Sequence, residues 1–79
     1  MTIIYFDSGK SITVKENFDE VEKLLWEECL TILGIEKMPA VGFKRLTQLN
    51  EFKQSGEPQY KPVIVNLDHI AYFHPAHND

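Results

Sequence analysis

Asn17-Phe18-Asp19-Glu20-Val21-Glu22-Lys23-Leu24-Leu25-Trp26-Glu27-Glu28-Cys29-Leu30-Thr31-Ile32-Leu33-Gly34 is the stretch on which the fold turns. Asn17 followed three residues later by Glu20 is a capping-box pattern, in which the Asn side chain accepts a free backbone N–H of the first turn and Glu20 reaches back. A helix is therefore expected to start at Phe18. Phe18, Val21, Leu24, Leu25, Cys29, Ile32 and Leu33 recur at spacings of three and four, an apolar stripe with most acidic residues on the opposite side. Gly34 stands where a left-handed C-cap residue is wanted, and Ile35 beyond it can pack back on Leu30. The pattern predicts one helix ending near Leu33, with Cys29 as a small buried hydrophobe on its stripe.

Toward the N-terminus, Thr2-Ile3-Ile4-Tyr5-Phe6 is rich in β-branched and aromatic residues, and Ser11-Ile12-Thr13-Val14-Lys15 alternates with a period of two. Between them Asp7-Ser8-Gly9-Lys10 is a turn in which Gly9 can take positive φ, so the two strands are expected to form an antiparallel hairpin. Toward the C-terminus, residues 34–42 with Pro39 read as a connector. Gly42 to Leu49 is extended in character. Phe43 and Leu49 share one parity and Leu46 has the other, which implies a bulge or burial on both sides. Residues 50–61 are polar, contain Gly56 and Pro58, and read as a long exposed loop. Pro62–Asn66 and His69–Phe73 read as strands joined at Leu67 and Asp68, with Pro75 ending the last one and 74–79 as a tail. The expected order is ββαβββ, a single α+β domain over residues 1–79 whose antiparallel sheet carries the helix on one face.

Composition narrows the functional classes. Seventy-nine residues with 43% apolar and 25% charged side chains suit one small globular core; two cores would each fall below the size that usually folds unaided. No apolar run approaches the roughly 20 residues of a spanning helix, and the first fifteen residues lack a secretion signal, so no membrane partner and a cytoplasmic location are expected. Cys29 is the single cysteine, which rules out an internal disulfide and a thiolate-rich zinc site. The net charge of −4 is concentrated in residues 16–36, where seven carboxylates face one cation, Lys23. Such a balance disfavours nucleic acid as a partner. Lys44, Arg45, Lys53 and Lys61 with Phe52 and Tyr60 are too few for a convincing single-strand platform.

The stretch Phe43-Lys44-Arg45-Leu46-Thr47-Gln48-Leu49-Asn50, followed by Pro62-Val63-Ile64-Val65-Asn66-Leu67-Asp68-His69-Ile70 and an aromatic strand, resembles the opening half of FlbD-type proteins of flagellar operons. Thr2 to Leu25, with its Ser-Gly turn, Ile12-Thr13-Val14-Lys15-Glu16 and the helix start Phe18-Asp19-Glu20-Val21, is similar to the closing half of the same family. The halves stand here in swapped order, and Asn50 is followed by Glu51 and a long loop where the family has a tight Asn-Gly turn. The resemblance implies a small β-rich fold of a bacterial or phage kind.

Three constellations remain. His69, His74 and His77, with Asp68 and Asp79, use ligand types that zinc, nickel or copper accept. Pro75 forbids the helical face that would converge two imidazoles, so surface histidines and no cofactor are expected. Glu20, Glu27 and Glu28 form an acidic helix face, either simply solvated or laid out as a phosphate mimic that regulates a nucleic-acid enzyme. The most informative set is apolar. If Ile4 and Phe6 face the helix, parity sends Ile3 and Tyr5 to the other sheet face, with Trp26 near the edge of the helical stripe and Phe73 adding to that face if the register allows. One helix cannot cover both faces of five strands, so Ile3, Tyr5, Trp26 and Phe73 are the expected interface of a homo-oligomer or of a contact with another protein. No acid, base and nucleophile spacing points to an enzyme.

Overall fold

The Asp7–Lys10 turn closes as its residues require: Gly9 takes φ +90°, its N–H bonds the Phe6 carbonyl at 3.0 Å, and Phe6 N–H bonds the Lys10 carbonyl at 2.8 Å. The computed structural model, which describes residues 1–52 and 56–76, thus opens with the expected hairpin of β1 (Thr2–Phe6) and β2 (Ser11–Val14). The elements that follow are α1 (Phe18–Leu24), β3 (Trp26–Thr31), β4 (Gly34–Pro39), β5 (Phe43–Phe52), β6 (Pro58–Asn66), a 3₁₀ turn at Leu67–His69 and β7 (Ile70–Pro75). Five strands form one antiparallel sheet in the order β6-β5-β2-β1-β7, and β3 and β4 form a separate two-stranded ribbon. The protein is a small α+β fold of mostly antiparallel strands with one short α-helix.

The helix starts where the capping box places it. Asn17 is extended, and its side-chain oxygen accepts from the Glu20 N–H at 2.9 Å. It stops nine residues earlier than the stripe predicts, because Leu25 N–H bonds back to the Glu22 carbonyl at 3.1 Å in a tightened last turn, and the chain then leaves as a strand. From Trp26 onward the sequence contains Trp, Cys and the β-branched pair Thr31-Ile32, which lose side-chain freedom in a helix and fit a pleated ribbon. The ribbon pairs Trp26 with Pro39, Glu28 with Lys37, and Leu30 with Ile35. Opposite charges and two aliphatics therefore meet directly across it. Gly34, at φ +116°, sits at the turn rather than at a helix end. Thr31 completes that turn, its hydroxyl accepting from Leu33 N–H at 3.2 Å and donating to the Gly34 carbonyl at 3.0 Å. The order ββαβββ is thereby corrected to ββαβββββ, whose last strand, β7, follows the 3₁₀ turn, and the 34–42 connector shrinks to the residues after β4.

The 50–61 loop is also shorter than expected. The β5–β6 ladder runs on past a register shift between Leu49 and Glu51 to the pair Phe52–Pro58. Of the expected tail, His74 and Pro75 belong to β7, whose end is held by Ala76 N–H to the Met1 carbonyl at 2.9 Å; residues 77–79 lie outside the described residues. The core lies on the helix side of the sheet and consists of Ile4, Val14, Val21, Ala40, Leu46, Val65 and Leu67, with Phe6, Ile12, Leu24, Leu25, Val63, Ile70 and Phe73 packed around them. Thr2 is buried with its hydroxyl donating to the Glu16 carbonyl at 2.9 Å, so no penalty arises from its polarity. Leu46 faces this core while Phe43 and Leu49 face away, Phe43 largely exposed and Leu49 half-buried, so the mixed parity of β5 places apolar side chains on both faces and fully buries only one of them.

Candidate interaction surface

The β3–β4 ribbon is joined to the body at its base. Ala40 N–H bonds the Leu25 carbonyl at 2.8 Å, and Lys44 Nζ approaches Glu27 Oε1 at 3.9 Å. Each strand has six residues, so at about 3.3 Å per residue the turn lies roughly 20 Å beyond that base. At the ribbon's end Leu30, Ile32, Leu33 and Ile35 are 86%, 104%, 88% and 71% exposed. Four large aliphatics that share one ribbon tip form a patch, whereas single exposed apolar residues would be ordinary. Burying each would contribute about 1.5–3 kcal/mol. The set therefore leaves about 6–12 kcal/mol ungained, comparable with the whole stability of about 4–12 kcal/mol expected for a chain of this length.

The outer face of the main sheet is the second candidate. Register places Ile3, Tyr5, Ser11, Thr13, Arg45, Ile64, Tyr72 and His74 there. Tyr5 and Tyr72, directly opposite each other, stack with ring centroids 4.4 Å apart, and His74 stacks on Tyr5 at 5.5 Å with Nε2 3.3 Å from the Tyr5 hydroxyl. At the other side of the face Lys15 Nζ lies 5.3 Å from the Tyr60 ring centre, a cation–π contact. Phe43, Ile64 and Tyr72 are more than half exposed. Ile3 and Tyr5 thus occupy the face parity assigns them. Phe73 does not: it pairs with Ile4 and packs 5.1 Å from Phe18, under the helix. Trp26 leaves the helix and lines a cleft of about 540 Å³ between α1 and the ribbon, walled by Asp19, Glu22, Lys23, Glu28 and Lys37.

The remaining candidates disperse. Glu20 stays on the helix, whereas Glu27 and Glu28 are consecutive in β3 and point to opposite faces of the ribbon, Glu27 toward Lys44 and Glu28 across from Lys37. A single acidic helix face is therefore not formed, because the helix ends before its second half. Cys29 is half-buried in β3 opposite Glu36 instead of in the core. His69 and His74 sit at the two ends of β7, about 16 Å apart by strand rise. His69 Nδ1 meets Asp7 Oδ2 at 3.0 Å, and this hydrogen bond, with the charge of the same carboxylate, holds the imidazole pKa above its ordinary value. His74 Nδ1 lies 2.8 Å from the Pro75 carbonyl, and His77 lies outside the described residues. Among the described residues no three His, Cys, Asp or Glu side chains are grouped to hold a metal ion, and no helix is long and apolar enough to cross a membrane.

Beside the His69–Asp7 pair lies a recess of about 460 Å³ lined by Phe6, Asp7, Ser8, Lys10, Ile12, Asn66 and His69. Phe6 and Ile12 supply its apolar floor. Neither this recess nor the ribbon tip is signalled by the helical pattern, which places Ile32 and Leu33 on a buried stripe and Leu30 against Ile35 at a helix stop. The signal for the ribbon is the β-branched pair Thr31-Ile32 just before Leu33-Gly34, where a glycine can close a turn. No family model, curated protein or solved structure matches the chain.

Proposed function

We propose that this chain is a non-enzymatic protein-interaction or structural module that works as a homo-oligomer. The observation that carries the reading is the aliphatic tip of the β3–β4 ribbon, held in solvent at the end of an arm. A two-stranded ribbon is marginal by itself, and one that spends its largest aliphatics at the exposed end gains stability by burying them on a partner. The outer sheet face, with the stacked Tyr5 and Tyr72 beside Ile3, is a second surface of the same character.

The two stretches that resemble FlbD-type proteins share one sheet, in which β1 pairs with β7 and β2 with β5; the likeness is read as one between small β-rich folds and extends to no flagellar role.

Light scattering across a wide concentration range tests the reading. A mass that rises above one chain is expected; the mass of one chain throughout overturns it. Tyr5→Glu and Leu33→Asp, measured separately, assign the contact to the outer face or to the ribbon tip by whichever lowers the mass of a still folded chain.

A further inference from the structure

We propose that the Ile32–Leu33 tip of one copy seats in the recess floored by Phe6 and Ile12 on a second copy of the same chain, an inference that rests on the self-association read above. The chain carries an apolar knob without a hole and an apolar hole without a knob. The tip bears no charge, and the side chains behind it on β4, Glu36 and Lys37, supply one of each sign. The recess suits it: Phe6 and Ile12 are its apolar lining, and of its charged or titratable groups Asp7 is already paired with His69, which leaves Lys10 to meet Glu36 of the incoming ribbon. At about 460 Å³ it is about three times the roughly 150 Å³ of an engineered cavity that takes up a benzene, room enough for two branched aliphatic side chains.

The other cleft is the poorer receptor. Around Trp26 it is walled by Asp19, Glu22, Lys23, Glu28 and Lys37, and an aliphatic knob seated there would strip five charged groups of water. The recess asks this only of Asp7, Lys10 and His69, of which Asp7 and His69 already satisfy one another at 3.0 Å. A copy is unable to fill its own recess through the straight ribbon, because the tip extends roughly 20 Å away from a base fastened at Leu25–Ala40 and Glu27–Lys44. The contact is heterologous, since the two surfaces differ, and it closes into a two-fold dimer if both arms are exchanged or runs on as a chain if they are not.

Complementation between two crippled copies tests the geometry. The tip variant Ile32→Asp/Leu33→Asp keeps an intact recess, and the recess variant Ser8→Trp keeps an intact tip; Lys10→Trp serves as a second recess variant should Ser8→Trp disturb the turn. Each alone is expected to have the mass of one chain. Their equimolar mixture is expected to form a 1:1 dimer and nothing larger, because one productive tip and one productive recess remain. In the isotope-labelled tip variant titrated with the unlabelled recess variant, amide shifts are expected at residues 6–12 and 66–69. A tip variant that still associates like the wild type, or a mixture that stays monomeric, overturns this docking while leaving self-association standing. A wild-type chain that is monomeric at every concentration overturns both.

Discussion

Truncating two leucines separates a ribbon from a helix over residues 26–33. Leu46 is 2% exposed, pairs with Val63 of the edge strand β6, and belongs to a core of seven buried apolar residues among the described residues; Leu33 is 88% exposed at the ribbon turn. Leu46→Ala removes transfer energy and leaves a cavity, at a cost of about 2–5 kcal/mol. For a domain of this size each kcal/mol moves Tm by about 4–8 °C, so a central loss of about 3 kcal/mol lowers it by about 12–24 °C. Leu33→Ala removes atoms already in water and is expected to stay within about 0.5 kcal/mol of wild type. The assay is urea unfolding followed by circular dichroism, at a concentration where light scattering shows one chain, so that lost intermolecular contacts do not enter. Had the stripe from Phe18 to Leu33 been a helix, Leu33 would lie on the core and both truncations would cost alike. A Leu33→Ala loss above about 2 kcal/mol in the monomer would therefore refute the ribbon.

Three smaller perturbations follow. Gly34→Ala meets no neighbouring atom but must hold φ +116°, so a cost of about 1–2 kcal/mol is expected, read as faster amide exchange in β3 and β4 with the main sheet unchanged; equal protection in both variants would show that the turn does not need glycine. Asn17→Ala removes the oxygen that accepts from Glu20 N–H and is expected to cost about 1 kcal/mol by thermal unfolding, while an unchanged Tm would mean the cap is redundant. His69 titrates above its ordinary pKa because Asp7 favours the charged imidazole. Its contribution to stability is therefore present below the unfolded-state pKa and fades as pH rises through the folded value; imidazole NMR shifts should show Asp7→Asn bringing the midpoint down, and an unmoved midpoint would remove the pair.

Local chemistry was legible wherever one residue type has one geometric use. Asn17 with Glu20 located the helix start, Gly9 located the first turn, and the period of two in β2 sent Val14 inward and Thr13 outward. Legibility failed where one pattern serves two structures. Positive φ at Gly34 suits a helix C-cap and a ribbon turn alike, and Leu30 next to Ile35 is a contact in both: across a Schellman stop or across paired strands. A spacing of three and four in Cys29, Ile32 and Leu33 counts as a helical stripe only if the chain is already helical there. The Phe73 placement depended on register, which the bulge between Tyr5 and Phe6 sets and which no local signal reports. Ile3 and Tyr5 accordingly stand on the sheet face that parity assigns them, whereas Phe73 lies on the opposite face against Phe18.

The shortened helix is what links these misreadings to function. A helix carried through to Leu33 would have laid Cys29, Ile32 and Leu33 on the sheet and left a larger core with a merely acidic outer side. Ending it at Leu24 takes the same aliphatics out of the core, leaving Val21 as the one fully buried residue that α1 contributes. The apolar surface that residues 26–35 withhold from folding is then carried at the tip of an arm whose base is held by the Ala40–Leu25 backbone bond, by those two residues' packing in the core, and by the Lys44–Glu27 pair. Folding of the body therefore rests, among the described residues, on seven small and medium buried side chains and those packed around them, and the four tip aliphatics, exposed to water, add nothing to it.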